Sequence, residues 1–479
     1  MTTKEKNKDT LKANKVLNYI IIISIFAFSM IIPIITATSQ SYIVSYGDDI
    51  AWLTWGQQHH TNILDIFNGK IGTGYRPFQN AIFFIGYNLF GSEPFYYYIL
   101  DGLFLSGAMI FLYMLGKMLH SQISGIIAVL LYLFLDGTFI MISKLNFVVF
   151  SAEIFFITSA IYFSITYFNK QTKSSMILAI ILSVFAFGSK EPSIVIIPAA
   201  NLTYLYFNKM LRRNLIIVNL IPFIYLLTIM FYLAPEVGTV GGTGSLVERV
   251  LSNLNFYIDT EITSQFKSPI LILFSILLAG YYIFRNKLRT ELMLCVSWIV
   301  IGIVPLLFTK IAVQPTYLIE LNLGTVLLIG IVIADRLKTN DLILGIVILV
   351  VASQLIVIPQ QISNMKSYNV VISENQKTFL ETTDGLNNVT TFSTVFYFSD
   401  SVRQKYGMQI PESFFKDYLC LRGMCTLQVV TNYSDAEYVI LPSTLDVSIF
   451  QKEINDSKLS VIKQVKYGEN YGFLLKKIT

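Results

Sequence analysis

Long apolar runs broken by short polar segments fill the first three quarters of the chain. Apolar runs fall at 16–37, 95–116, 122–136, 147–168, 174–188, 193–208, 214–234, 269–284, 291–309, 316–334 and 341–359. Runs of about 17–25 apolar residues are long enough to cross a bilayer as helices. The pattern therefore predicts about 11 transmembrane helices. The segment 77–90, PFQNAIFFIGYNLF, is apolar but short and ends at Gly91, which predicts an interfacial or re-entrant helix.

From about residue 361 the pattern changes. TTFSTVFYF, CTLQVVT, AEYVILP, LSVIKQV and YGFLLKK alternate as strands do, and YGEN marks a turn between the last two. SVRQKYG and SIFQKEIN read as short helices. The expected organisation is a membrane module over 1–360, with a first outer loop at 38–80, and a small α/β domain over 361–479.

Composition sharpens this picture. The chain is 54% hydrophobic and only 14% charged. Soluble chains run at about 25% charged residues. The deficit of charge, with a mean hydropathy of +0.60, excludes an ordinary soluble enzyme. The basic stretch before the first run could open a signal peptide, but the run is long and lacks a small-x-small cleavage site, so it reads as an uncleaved span.

Charge placement sets the topology. Lys117, Lys170 and Lys173, Lys209, Arg212 and Arg213, Arg285, Lys287 and Arg289, and Arg336 and Lys338 fall on one side, with the lysine-rich N-terminus. Cytoplasmic loops carry that excess. The first long loop and the C-terminal region are then extracytoplasmic, in a cell (plasma) membrane. Cys420 and Cys425 could pair there, whereas Cys295 lies in a span. Asn388, Asn432 and Asn455 each begin an N-x-S/T triplet, a weak signal.

The polar chemistry clusters in the outer loops. SYGDDIAWLTWGQQHH holds adjacent acids, Asp48 and Asp49, then Trp52, Trp55, His59 and His60. If this stretch is helical, Asp48, Trp52, Trp55 and His59 share one stripe. One reading is an interfacial helix anchored by tryptophan. The other is a carboxylate at the lip of a membrane cavity, poised as a general base. His59 and His60 could join the acids around a divalent metal ion, although the spacing matches no specific metal motif.

Three further segments carry charge. Arg76 precedes Pro77, and its guanidinium suits a phosphate. In FGSKEPSIVIIP, Ser189, Lys190 and Glu191 end one span and Pro192 opens the next, so a cation meets a helix N-terminus. The plain alternative is a polar turn with a local ion pair. In QPTYLIELNLG, Glu320 lies at an apolar span, where an ionisable group is costly and points to function. Lys310, about ten residues away, is its expected partner.

Together these segments resemble the GT-C fold of integral-membrane glycosyltransferases, in particular protein mannosyltransferase-like members. The resemblance rests on YGDD after the first span, on YRPFQNAIFFIGYNLFGSEPFYYYIL, on FGSKEPSIVIIPA and, more loosely, on YLIELNLG. It covers about residues 16–335. The sequence departs from many relatives after the third span, where LDGTFIMISKLNF holds Asp136 and Lys144 but no His-Pro.

The resemblance implies an inverting transferase that takes a sugar from a polyprenyl-phosphate-linked donor at the outer face. The acceptor would be a hydroxyl of a glycan, lipid or protein, and no nucleic acid is expected. It implies Asp48 or Asp49 as base, with Asp48 slightly preferred, and Arg76 and Lys190 on the donor phosphate. Trp52, Trp55, His59, His60, Glu191 and Glu320 would line the cavity, with Trp52 or Trp55 stacking on a sugar. Two other classes compete: a lipid-linked polysaccharide polymerase or ligase, and a non-enzymatic lipid or glycolipid transporter. The first prefers cations in a large late loop, but 235–268 holds only Arg249 and Lys267. The second predicts repeats and mid-span charge, and no repeat is evident.

Overall fold

The computed structural model describes residues 3–39, 48–68, 76–142, 145–190, 192–209, 224, 246–259, 269–285, 288–307, 318–336, 378, 381–383, 386, 394–397, 428–430, 436–443, 458–467 and 470–478. Helices dominate the first part. They are α1 (Thr3–Ser39), α2 (Asp48–His59), α3 (Asp65–Asn68), α4 (Pro77–Phe90), α5 (Pro94–Leu119), α6 (Gln122–Leu133) and α7 (Asp136–Ile142). A 3-10 turn at Leu145–Phe147 leads into α8 (Val148–Lys170), followed by α9 (Lys173–Ser189) and α10 (Ser193–Phe207). Next come α11 (Leu246–Asp259), α12 (Pro269–Phe284), α13 (Arg289–Leu307) and α14 (Ile319–Arg336).

Nine of the eleven expected spans coincide with α1, α5, α6, α8, α9, α10, α12, α13 and α14. The runs at 214–234 and 341–359 lie outside the described residues. The short helix expected at 77–90 is α4, opened by Pro77 and followed by Gly91 at φ 60°. The sixth helix is shorter than its apolar run. It stops at Leu133, and Asp136 begins a separate helix.

Among the described residues, Lys15–Thr38, Pro94–Leu119 and Val148–Lys170 are helices long and apolar enough to cross a membrane. Their packing differs. The α5 and α8 helices bury much of their surface in the bundle. By contrast, α1 leaves Val16, Tyr19, Ile20 and Ile23 about half exposed or more. An apolar face of that kind suits lipid and not water.

Close backbone approach holds the bundle together. At Gly116 of α5 a Cβ would stand 2.6 Å from the Gly125 Cα of α6. At Gly330 of α14 it would stand 2.6 Å from the Ser124 carbonyl oxygen. Small residues let helices approach like this in lipid, where hydrophobicity alone cannot drive association. Ser121 and Ser124 also form a capping box at the start of α6, which satisfies two end donors locally.

Five strands form one mixed sheet in the order β2-β1-β3-β5-β4. They are β1 (Thr394–Tyr397), β2 (Gln428–Val430), β3 (Tyr438–Ser443), β4 (Leu459–Tyr467) and β5 (Asn470–Lys477). Each lies on one of the alternating segments read from the sequence. Strand β1 is parallel to β2 and β3, and parallel neighbours need long crossovers. Strands β4 and β5 form a hairpin in which Tyr467 faces Asn470, as YGEN predicts. Val439, Ile440, Phe473, Leu474 and Leu475 are all buried, so the centre of the sheet is covered on both faces. The two short helices expected in this region, and Cys420 and Cys425, lie outside the described residues.

Candidate functional site at the start of the eighth helix

The segment that holds the acids, tryptophans and histidines is helical, as its stripe requires. Residues 48–59 form a helix, α2, with both acids in its first turn. This helix packs on α4. The Trp52 ring stacks on Phe83 at 5.2 Å, and Phe83 stacks on Tyr97 at 6.0 Å. Trp55 stacks on His59 at 4.7 Å. Both tryptophans are buried. Each therefore already faces a protein ring, and the Trp55 Nε1 is buried with no hydrogen-bond partner among the described residues.

Asp49 is fully buried. Its Oδ2 accepts a hydrogen bond of 3.3 Å from the Leu145 backbone N–H. Leu145 opens the 3-10 turn that runs into α8. The first N–H groups of such a turn have no partner within it, and the helix dipole favours an anion there. Asp49 thus ties the first loop to the start of α8. Asp48 is the first residue of α2, and its side chain lies outside the described residues.

The second element is Arg76, which precedes α4. It is half-buried, and its Nη1 reaches Gln79 Oε1 at 3.5 Å. The start of α4 sits against the end of α9. A Cβ on Gly188 would stand 3.2 Å from the Phe78 Cβ and 3.5 Å from the Pro77 Cγ. Phe78 stacks on Phe185 at 4.6 Å and meets Phe156 edge-on at 4.7 Å. Three phenylalanines from α4, α8 and α9 therefore lock these helices together. Arg76 and Lys190 each lie next to this contact in the chain.

Lys190 closes the circle. Its Nζ lies 3.6 Å from the Phe150 ring centroid, in the first turn of α8. It also forms an ion pair of 2.9 Å with Glu320 Oε1. The side chains are 7% and 1% exposed. This corrects the pairing expected from the sequence. Glu320 meets Lys190, 130 residues away, whereas Lys310 and Glu191 lie outside the described residues. Glu320 occupies the first turn of α14. The Trp298 Nε1 donates to its carbonyl at 2.9 Å, and the Tyr132 hydroxyl donates to the Ile319 carbonyl at 3.1 Å.

The histidines are held locally. The Nδ1 atoms of His59 and His60 lie 2.9 Å and 2.6 Å from the carbonyls of Trp55 and Gln57. Among the described residues no three His, Cys, Asp or Glu side chains converge as a metal would require.

Two acids escaped the sequence reading. Asp101 on α5 and Glu153 on α8 are buried in the bundle. Asp101 faces Ser151, and Glu153 lies within electrostatic reach of Tyr132, as does Glu320. The signal was present in YYYILDGLFL and VVFSAEIFFI, where a lone acid interrupts an apolar span.

Two comparisons bear on this arrangement. The profile of the dolichyl-phosphate-mannose-protein mannosyltransferase family matches residues 76–238, from Arg76 through Lys190 and beyond. No curated protein matches the chain by sequence. Among solved structures, ArnT from Cupriavidus metallidurans in the apo state is similar at 10% identity and a TM-score of 0.56, over 95% of this chain and 97% of that one. The same protein bound to undecaprenyl phosphate has a TM-score of 0.52 at 10% identity, with the same coverage. The Archaeoglobus fulgidus oligosaccharyltransferase, in complex with Zn and sulfate, is similar at 12% identity and a TM-score of 0.50, over 88% of this chain and 67% of that one. With apolar helices that suit a bilayer, a family signature over 76–238 and a likeness that spans nearly its whole length, the chain is an integral membrane protein with the GT-C fold.

Proposed function

We propose that this protein transfers a sugar from a polyprenyl-phosphate-linked donor to an acceptor hydroxyl at the outer membrane face, with inversion at the anomeric carbon. The observation that carries the reading is that Asp49 accepts from the Leu145 N–H just before α8 while Lys190 reaches Phe150 in the first turn of α8. An acid and a cation from separate stretches thus approach neighbouring turns, and Arg76 lies two residues before Phe78, which packs on α8 and α9; a glycosyl phosphate needs both kinds of charge.

The chemistry divides between them. A lipid phosphate is a good leaving group, so its departure needs charge stabilisation more than a proton. Lys190 and Arg76 supply that charge, in a setting with little water to compete. The acceptor hydroxyl is a poor nucleophile and needs a base. Asp48 takes its proton, while Asp49 holds the loop on α8. The similar ArnT structure contains undecaprenyl phosphate, which fits a lipid-phosphate donor here. The oligosaccharyltransferase structure contains sulfate, a second tetrahedral anion.

The helix ends support the outer-face reading. Lys117 and Tyr113, near the end of α5, both bond Asn18 on α1. The site lies toward the opposite ends of these helices, which places it extracytoplasmically if the basic ends face the cytoplasm. The membrane module then spans 1–360, and the region 361–479 covers the cavity and helps to choose the acceptor.

The test replaces Asp48 and Asp49 together by Asn and measures transfer from a polyprenyl-phosphate sugar. Turnover is expected to fall by about 10²–10⁴-fold, the usual contribution of a positioned base, with donor binding retained. Unchanged transfer would overturn the assignment.

A further inference from the structure

The Lys190–Glu320 pair is a poor structural staple. Taking both charges out of water costs more than a plain apolar contact would. Buried carboxylates in staples are expected to satisfy both oxygens. Glu320 uses only Oε1, and its Oε2 is buried without a hydrogen-bond partner among the described residues. The Trp298 and Tyr132 bonds fix the backbone around Glu320, so the carboxylate is held facing the ammonium.

The transfer reaction gives that arrangement a use. The intact donor is a phosphodiester with one negative charge. In transfer the acceptor oxygen bonds the anomeric carbon and its proton passes to the aspartate. The bond from that carbon to the phosphate oxygen breaks, and its electrons stay on the phosphate. The product is a polyprenyl phosphate monoester, whose second ionisation falls at about pH 6, as for other phosphate monoesters. Lys190 therefore meets its strongest anion after the chemistry is over. A cation that favours departure of the leaving group also favours its retention, and something must reverse this.

We propose that Glu320 is a positioning residue that trades places with phosphate on Lys190. It holds the ammonium in the empty site, gives way as the lipid phosphate arrives, and reclaims Lys190 to expel the polyprenyl phosphate product. This rests on the reading of Lys190 as a donor-phosphate ligand.

The full chain, purified in detergent micelles, is titrated with undecaprenyl phosphate. Glu320→Gln removes the competing charge and keeps the shape. Binding is expected to tighten on the order of tenfold, within the usual range of coupling between two sites. Multiple-turnover transfer slows, while the first turnover keeps its rate. A staple would give the opposite sign, with weaker binding and a lower melting temperature, and that result would overturn the proposal. If the Gln variant does not fold, Glu320→Asp keeps the charge but retracts it by one methylene. It is expected to tighten binding severalfold, and unchanged binding would overturn the exchange. Lys190→Met combined with Glu320→Gln removes both charges and leaves no buried ion. If that variant binds as tightly as Glu320→Gln alone, Lys190 does not meet phosphate and the underlying reading fails as well. If it binds weakly while Glu320→Gln alone is not tightened, only the exchange fails.

Discussion

Asp49 and Lys190 approach neighbouring turns, the 3-10 turn before α8 and the first turn of α8, yet they are held in different ways. Asp49 is fixed by a backbone N–H at the start of α8. A backbone N–H is a dipole that cannot move away. Lys190 is fixed by a carboxylate from a helix far along the chain. The first kind of contact sets a position and leaves little to exchange. The second sets a position that another anion can contest. On the proposed reading, Asp49 serves as scaffolding and Lys190 as a replaceable contact.

The largest test of this contrast separates the two acids. Asp48→Asn should lower turnover by about 10²–10⁴-fold, as loss of a base does, with donor binding unchanged. Asp49→Asn should cost only about tenfold, because the amide oxygen can still accept from Leu145 N–H. A steady-state assay of both variants beside a binding titration decides it. If Asp49→Asn is the more damaging, the roles of the two acids are reversed. If both are silent, no base resides in this loop.

The next test breaks the cation side. Lys190→Ala should weaken donor binding by about 10–100-fold, since a hydrogen bond to a charged group contributes about 1.5–3 kcal/mol. It should also lower stability by about 3–5 kcal/mol, because Glu320 is left buried and charged. A smaller loss is expected for Asp49→Asn, which keeps an oxygen to accept from the Leu145 N–H. Thermal melts of the two variants, run side by side, measure the difference. Equal melting temperatures would show that the ion pair is no more costly to break than the backbone contact.

The same contrast explains what the sequence revealed. Helix α2 was readable because Asp48, Trp52, Trp55 and His59 repeat at helical spacing within one segment. Helix α4 was readable because Pro77 and Gly91 punctuate it. The strands were readable from alternation and from the YGEN turn. All of these signals are local. The Lys190–Glu320 pair was not, because its members lie on separate spans and Lys310 is nearer in sequence. The anchoring of Asp49 on Leu145 was hidden for the same reason, since a backbone N–H leaves no mark in composition. Asp101 and Glu153 did leave a mark, a lone acid in an apolar run. That mark is weaker than the charge at the ends of the spans, because a single acid barely alters the apolar pattern around it.

Arg76 offers the smallest and most discriminating effect. It lies two residues before Phe78, as Lys190 lies two residues after Gly188, but it is half-buried and its Nη1 reaches Gln79 at the long distance of 3.5 Å. A partly exposed cation works through a higher effective dielectric and is screened by salt, whereas a buried one is not. Arg76→Ala should therefore weaken donor binding by only about three- to tenfold at low ionic strength, roughly the lower range of a charge-assisted contact. That loss should shrink further as salt is raised toward 1 M, where the screening length falls to about 3 Å. The loss in Lys190→Ala should persist across the same range. Donor titrations of both variants at two salt concentrations measure this directly. Parallel salt dependence would mean that the two cations meet the phosphate in the same environment, and the division between a steering arginine and a contested buried lysine would not hold.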